Sequence, residues 1–182
     1  MISKQGEVIA AAVTNLDLHD IARAARTYGV RRYYVVTPLA DQQTLVRRIL
    51  AHWLTGAGAH HNPDRGAALE IIRLQDSLAG VLEHIRGRSG RRPLVVATSS
   101  RQHPGAAGFG RLRRLLQAEN PCLLLFGTAW GLAPEIIQAA DMVLAPINGC
   151  TEYNHLAVRS AAAIVLDRLV GPANARRGYA ND

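Results

Sequence analysis

Lysine is almost missing from this chain: of 182 residues, only Lys4 is one. A P-loop needs a lysine directly after its glycines, and Lys4 follows none, so a nucleotidase of that kind is excluded. Cysteine is nearly as scarce. Cys122 opens an apolar run and Cys150 lies in a loop. A lone pair so far apart is poor ground for a disulfide, and a reducing cytoplasm is the expected compartment. No apolar run is long enough to cross a bilayer, and the opening residues MISKQGEVIA lack the layout of a signal peptide, so no membrane is expected as a partner. Gly-x-Ser-x-Gly is absent, as is any cysteine and histidine spacing suited to zinc. The first apolar run leads into Asn15-Leu16-Asp17 without a glycine, so the usual dinucleotide fingerprint is missing where it belongs. His52, His60 and His61 have no partnered carboxylate pattern and read as surface positions, so no metal is expected.

What remains is a composition of 48% hydrophobic and 19% charged residues, ordinary for a folded globular chain. The length suits one domain over residues 1–171, followed by a flexible polar tail over 172–182. The formal net charge is +7, and 20 of the 21 basic residues are arginine (21 less the one lysine). Arginine forks match phosphates and base edges, so this balance suits a polyanionic partner. An arginine-rich genome would produce the same composition, and charge alone leaves the two open.

Apolar periodicity gives an alternating order of strands and helices. Residues 7–14 (EVIAAAVT) read as a buried first strand. Thr14, Asn15 and Asp17 supply capping chemistry for a helix over 18–28, with Ile21, Ala22, Ala25 and Tyr28 at helical spacing and Gly29 closing it. A strand over 32–37 stops at Pro38, and a helix over 41–54 puts Leu45, Ile49 and Trp53 on one side. Residues 55–66 read as a loop, 67–74 as a third strand, 76–86 as a helix with Leu78, Leu82 and Ile85 inward, and 93–98 as a fourth strand. The glycine-rich run 101–110 reads as a mobile hinge or lid, and 110–120 as a short basic helix. Alternation of this kind predicts an α/β fold with a parallel, Rossmann-like sheet.

Residues 121–171 hold the strongest signal. Two apolar runs, 122–126 and 142–145, each stop in a glycine-bearing loop, and a long apolar helix follows. An α/β protein binds ligands at the carboxyl ends of its strands, so loops 127–132 and 146–154 form the expected ligand site. In these residues the chain resembles the SPOUT superfamily of RNA methyltransferases, α/β proteins with a C-terminal trefoil knot. Thr98-Ser99-Ser100 is similar to that family's first cofactor loop. Phe126-Gly127-Thr128-Ala129-Trp130-Gly131-Leu132 is similar to the second, which typically reads Gly-x-x-x-Gly-Leu. Tyr153-Asn154-His155-Leu156, with the small residues after it, is similar to the third. The likeness is nearest to a bacterial branch related to tRNA guanine-N1-methyltransferases, and it covers most of the chain.

The resemblance implies S-adenosyl-L-methionine held bent inside the knot, its adenine gripped by main-chain groups of all three loops. The implied cofactor residues are Thr98, Ser99, Ser100, Phe126, Gly127, Thr128, Trp130, Gly131, Leu132, Ile147, Gly149, Tyr153, Asn154 and Leu156. Glycines at 127, 131 and 149 let a backbone approach a flat ring, and Leu132, Ile147 and Leu156 offer apolar faces. Residues 17–30 resemble the ribose-methylating branch, in which an arginine engages the RNA and helps deprotonate the target hydroxyl. Arg23 lies at the matching distance from Gly29. Asp17 stands where that branch has asparagine, and His19-Asp20 replace its Gly-Ala pair, so a base nitrogen is favoured over a ribose hydroxyl.

Methyl transfer from a sulfonium asks for in-line placement and removal of the nucleophile's proton. Arg23, Glu152, Asn154 and His155 are the catalytic candidates. Each also has a structural reading: an Asp20–Arg23 surface pair, Asn154 capping the last helix, Glu152 as a first-turn carboxylate, His155 as a satisfied, partly buried ring. Trp130 is a pocket wall or ordinary packing. Trp53, His60, His61, Asn62 and Arg65 mix rings with a guanidinium, which suits stacking on unpaired bases or a structured surface loop. Arg91, Arg92, Arg111, Arg113 and Arg114 are phosphate contacts or solvated surface. The last helix is apolar nearly all round and has to be covered on more than one side; its own sheet and a two-fold copy would do so, which predicts a homodimer through the C-terminal helix. The reading is an S-adenosyl-L-methionine-dependent RNA methyltransferase acting on tRNA. Its alternatives are a non-catalytic RNA-binding or assembly module with the same fold, and a different nucleotide-binding enzyme, which the missing phosphate motifs disfavour.

Overall fold

A computed structural model describes residues 1–10, 12–118 and 120–172; residues 173–182, most of the expected tail, lie outside the described residues. Strands Tyr33–Val36 (β1) and Ile72–Gln75 (β2) pair in one parallel sheet. In a second parallel sheet Leu94–Ala97 (β3) lies between Cys122–Leu125 (β4) and Met142–Val143 (β5). The helices are Asn15–Thr27 (α1), Ala40–Leu54 (α2), Ala57–His61 (α3), Pro63–Leu69 (α4), Leu78–Ser89 (α5), Phe109–Leu116 (α6), Pro134–Ala139 (α7) and Val158–Val170 (α8).

Local chemistry sets several of these boundaries: α1 starts behind the expected capping residue Thr14, while α5 runs to Ser89, past the expected end at 86 and into the expected turn. The Thr14 hydroxyl accepts the Asp17 N–H at 3.1 Å and starts α1, whose Leu18, Ala22 and Ala25 are buried. The Ser77 hydroxyl accepts the Gly80 N–H and starts α5, which ends at Gly90 in the left-handed region with φ of 69°.

Four expectations fail for identifiable reasons. Residues 7–10 form no strand and are exposed, Val8 by 71%; the segment's single rung is the antiparallel bridge of Ile2 with Val8. An apolar run becomes a strand only where a neighbour offers main-chain partners, and Ile2 bonds instead to Trp130 and Gly131. Residues 55–66 are not a plain loop: Asn62 accepts the Arg65 N–H at 3.0 Å, Pro63 takes the first helical turn, and α4 runs through Leu69, so the third strand begins only at Ile72. Helix α2 buries Val46 in place of Leu45, which is 40% exposed. The supposed hinge 101–110 is anchored: the Ala107 N–H donates to Val143 O at 2.8 Å, and Ala107 O accepts the Ala145 N–H at 2.9 Å.

The core explains what covers α8. Val165 and Leu169 pack with Val96 and Leu144 of the second sheet and its edge and with Leu112 of α6, while Leu166 packs with Ala25 and Ile71. Burying each such side chain contributes about 1.5–3 kcal/mol. A second face of α8, through Leu166, is thus covered by α1 of the same chain.

Asp141 fastens β5 to β3. Its Oδ2 accepts the Val95 N–H at 2.8 Å and an Arg92 Nη1–H at 2.8 Å. The Val95 bond foremost, then Arg92, holds the carboxyl below its usual range. A depressed carboxyl contributes stability that is present above its unfolded value, near pH 4, and is lost as pH falls through the lower folded value. Asp141→Asn is expected to cost about 1 kcal/mol at pH 7, with solvent screening already discounted, and to leave a flatter acid limb below pH 4. Urea midpoints at pH 7 and pH 3 measure both; equal losses at the two pH values would refute the assignment.

Candidate functional site

Three loops meet at the carboxyl ends of β3, β4 and β5. Thr98, at the start of the first, donates both its N–H and its hydroxyl to Leu125 O, at 3.0 and 2.8 Å. The third is hung on the same frame, since the Leu144 N–H donates to Ala97 O at 2.9 Å. Across the site the Asn154 Nδ2–H donates to Ser100 O at 3.1 Å, tying third loop to first. Asn154 therefore does not cap α8, which begins at Val158 behind Ala157 without a side-chain cap. Glu152 lies upstream of that helix and is exposed, so it is no first-turn carboxylate. His155 is exposed too, edge-on to Tyr153 at 6.4 Å between centroids, and is not a buried ring.

The second loop is a tight turn. A Cβ on Gly127 would meet Leu132 N at 2.6 Å and Gly131 C at 2.8 Å, so only glycine fits there. Ala129 takes a φ of 52° and Gly131 one of 108°. Met1 and Ile2 lie against the turn: the Thr128 N–H donates to Met1 Sδ at 3.4 Å, Ile2 N–H to Gly131 O, and Trp130 N–H to Ile2 O. The Thr128 Oγ1 is buried with no hydrogen-bond partner. A Cβ on Gly131 or Gly149 would meet nothing within 4 Å. An orphaned hydroxyl on the second loop, and open space at a glycine of the second and of the third loop, fit an adenosine-type group, whose ring nitrogens and hydroxyls need polar partners. Trp130 is 52% exposed, Tyr153 76% and Leu156 44%, so none of the three is ordinary packing, whereas Ile147 is partly buried against the core. Ser99 accepts the Arg101 N–H and lies 3.1 Å from His103 Nε2, a contact one helical turn away in sequence that pattern reading passed over.

A second cluster forms between α1, α2 and α4. Asp17 and Asp20 hold Arg159 at 3.2 and 3.6 Å, which fastens α1 to the first turn of α8 and leaves Arg23 without the expected Asp20 pairing. Arg23 instead lines a cavity of about 210 Å³ with Asn62, Asp64 and Arg65. The Arg65 guanidinium sits 4.6 Å over one face of Trp53, and His19 and His52 approach the indole edge-on at 5.5 and 5.1 Å. Trp53 and Arg65 are brought together as expected, though that indole face is not free for a base. His60 and His61 are exposed at the end of α3. Among the remaining arginines, Arg91 donates to Asn120 Oδ1 at 3.0 Å and Arg113 to the carbonyls of Leu169 and Gly171, so the latter is structural. Arg111 and Arg114 are exposed. Arg159 and His19, which sequence reading missed, act across the fold and leave no local pattern. Among the described residues no group of three or more His, Cys, Asp or Glu is placed to hold a metal ion.

Both cysteines are free thiols, and they differ. Burial pushes the Cys122 thiol up to about 11, while Cys150 is exposed in the third loop. Brief iodoacetamide treatment of the folded protein is expected to label Cys150 alone by mass spectrometry; early labelling of Cys122 would count against this packing.

The sequence profile of a family described as SAM-dependent RNA methyltransferase matches residues 1–171. The chain is 46% identical over 173 residues to a tRNA (guanine-N(1)-)-methyltransferase of Oleidesulfovibrio alaskensis, a match spanning 95% of this chain and 40% of that protein. It is 40% identical over 169 residues to an uncharacterized protein of Aquifex aeolicus, covering 92% of this chain and 82% of the relative. The chain thus spans about two fifths of the tRNA (guanine-N(1)-)-methyltransferases it matches. In fold it is similar to an AdoMet-bound rRNA methyltransferase of Sinorhizobium meliloti (TM-score 0.54, 21% identity, 84% of this chain and 50% of that one). It is also similar to the TrmH/SpoU tRNA modifying enzyme of A. aeolicus (TM-score 0.53, 20% identity, 87% and 69%).

Proposed function

The chain belongs to the SAM-dependent RNA methyltransferases, and we propose that it methylates tRNA at a base nitrogen, with S-adenosyl-L-methionine bound in the three loops. The observation that carries this reading is the meeting of the loops at the ends of β3, β4 and β5, joined by the Asn154–Ser100 bond and lined by an orphaned Thr128 hydroxyl. A tRNA guanine as target draws on the names of relatives that extend well beyond the matched stretch. The departures at Asp17, His19 and Asp20 support the same preference against ribose.

S-adenosyl-L-methionine, when bound, supplies an electrophilic methyl group on a sulfonium. The residues to hold it are Thr98, Ser99 and Ser100 of the first loop; Phe126 to Leu132 of the second; and Ile147, Gly149, Tyr153, Asn154 and Leu156 of the third. The protein's own part is to orient the acceptor and remove its proton. Asn154 positions the third loop through its bond to Ser100. Glu152 and His155, exposed on that loop, are the candidates to accept the proton. Replacing the one that serves by alanine is expected to lower kcat about a hundredfold with cofactor affinity unchanged. Replacing the other is expected to change kcat little, and two unaffected variants would remove both from the mechanism.

A trefoil knot is part of the proposal. Strand β5 has Ala97 bonded on one side and Ala107 on the other, and residues 98–106 connect these two across the end of β5. That connection supports a knot, which forms where the chain leaving β5 threads the span. A homodimer belongs to the same reading. With two faces of α8 engaged within the chain, its contact draws on the rest of that helix and on the exposed apolar Val170, Leu156, Trp130 and Tyr153. Among the described residues no helix is long and apolar enough to cross a membrane, and a cytoplasmic setting is proposed.

Calorimetric titration with S-adenosyl-L-methionine and transfer of labelled methyl into bulk tRNA, followed by nucleoside mass spectrometry, test the function. The expected product is a base-methylated nucleoside. No cofactor binding at millimolar ligand would overturn the enzyme reading, and a 2′-O-methyl product the target.

A further inference from the structure

Residues 1–9 fold back on themselves as a small hairpin. The Ser3 N–H donates to Glu7 O at 2.8 Å, the Ile9 N–H donates to Met1 O at 3.0 Å, and Ile2 bridges Val8. The Ser3 hydroxyl accepts the Gln5 and Glu7 N–H groups, each at 3.2 Å, and Gly6 turns the chain with a φ of 85°. Residues 4–10 are exposed, Met1, Ile2 and Ser3 are partly buried, and none of the ten enters a hydrophobic core cluster. What the hairpin holds is the second loop. The Thr128 N–H donates to Met1 Sδ at 3.4 Å, the Trp130 N–H to Ile2 O at 3.3 Å, and the Ile2 N–H to Gly131 O at 3.2 Å. Two donors and one acceptor are thus engaged on the main chain that an adenosine group would contact. A main-chain N–H is a single donor, so it cannot serve the hairpin and a ligand together. The Met1 bond is also a poor one, because a thioether sulfur is a weak acceptor. Beside it the Thr128 Oγ1 is buried with no hydrogen-bond partner, so the closed loop carries an unmet polar group.

From this arrangement we infer that the hairpin of residues 1–9 is a strap that closes the second loop and leaves the main chain of Thr128 to Gly131 when S-adenosyl-L-methionine enters. The inference rests on the reading of the three loops as the cofactor site. An element held by a few surface hydrogen bonds, with no core side chain beneath it, belongs to the least stable part of a fold and opens readily. The hairpin's own bonds need not break, since Ser3, Gly6 and the Ile2–Val8 bridge keep its shape while it moves as a unit. Closed and bound forms exclude each other, so the apparent affinity is the intrinsic one multiplied by the fraction of open molecules. The sign of the effect is therefore distinctive. Loosening the hairpin at its far end strengthens cofactor binding, whereas losing a wall of the site would weaken it.

The test measures S-adenosyl-L-methionine affinity by calorimetry for the full chain and for Gly6→Val, Ser3→Ala and Gly90→Val. A Cβ on Gly6 would meet nothing within 4 Å, so valine strains the turn through its φ of 85° alone. Ser3→Ala removes the hydroxyl that accepts two hairpin N–H groups. Gly90, with a φ of 69° and open space at the end of α5, is the matched control away from the loops. Gly6→Val and Ser3→Ala are each expected to bind the cofactor about tenfold more tightly, and Gly90→Val to bind as the unaltered chain does. A second measurement needs no variant. The chain has two methionines, so the labelled methyl of Met1 is readily assigned by NMR. Its nuclear Overhauser contact with the Thr128 amide is expected in the free chain and is expected to vanish at saturating cofactor. A contact that persists at saturation would overturn the strap, as would hairpin variants that bind equally or more weakly. The reading of the loops fails separately. Cofactor binding with the Met1 contact intact sinks the strap and spares the site; no binding by any of the four proteins at millimolar ligand sinks the site, and the strap's role with it.

Discussion

Gly127→Ala is expected to weaken S-adenosyl-L-methionine binding about a hundredfold, equivalent to about 2.7 kcal/mol. The added methyl has no room: its carbon would sit 2.6 Å from Leu132 N and 2.8 Å from Gly131 C. Both are main-chain atoms, so neither can swing aside as a flexible side chain would. The turn has to open, and strain of order 1–3 kcal/mol is carried by the folded loop or released by displacing it. Either outcome moves the Thr128 to Gly131 main chain that the cofactor is proposed to contact. Gly149→Ala is the matched control, because its methyl would meet nothing within 4 Å; a change below about threefold is expected. Calorimetry on both variants, with circular dichroism to confirm folding, decides the matter. A folded Gly127→Ala protein with unchanged affinity would remove the second loop from the cofactor site.

Leu144→Ala is expected to be the most destabilising single truncation among the residues discussed, by about 3–4 kcal/mol. Leu144 is 1% exposed and packs with Val96, Leu112, Val165 and Leu169, so the cavity left behind has rigid walls on the sheet, α6 and α8. For a chain of this size that loss corresponds to a fall in Tm of roughly 10 °C. Leu115→Ala, at a leucine 41% exposed on α6, should cost well under about 1 kcal/mol. Leu144 also carries the N–H bonded to Ala97 O, at the point where β5 becomes the third loop. Near its lowered Tm the variant should therefore lose cofactor affinity before bulk helicity. Coincident loss of both would mean that the loop and core unfold as one unit.

The sequence carried the elements whose signals are local. α1 was legible from Thr14 and the spacing of Ala22 and Ala25, and the strands of the second sheet from short apolar runs ending at serine, glycine or proline. The three strand-end loops were legible for the same reason, as each directly follows a strand. Residues 63–66 read as loop and 67–69 as strand because AALEIIRL, residues 67–74, suits two periods, and the deciding Asn62 cap is a single bond. Residues 7–10 were misread because an apolar run says nothing about whether a partner strand is available.

Partners distant in sequence were beyond any local pattern. Arg159 reaches Asp17 across 142 positions and Asn154 reaches Ser100 across 54, and both bonds displaced the helix-surface and capping roles that spacing suggested. By itself, then, the sequence determined the alternating elements, the strand-end loops and the arginine excess, since these follow from backbone propensity, apolar periodicity and composition. The tertiary structure alone decided that α1 covers α8, that Ala107 flanks β5, and that Arg23 faces Arg65. Each depends on which surfaces exclude water together, a property of the packed chain and not of any one segment.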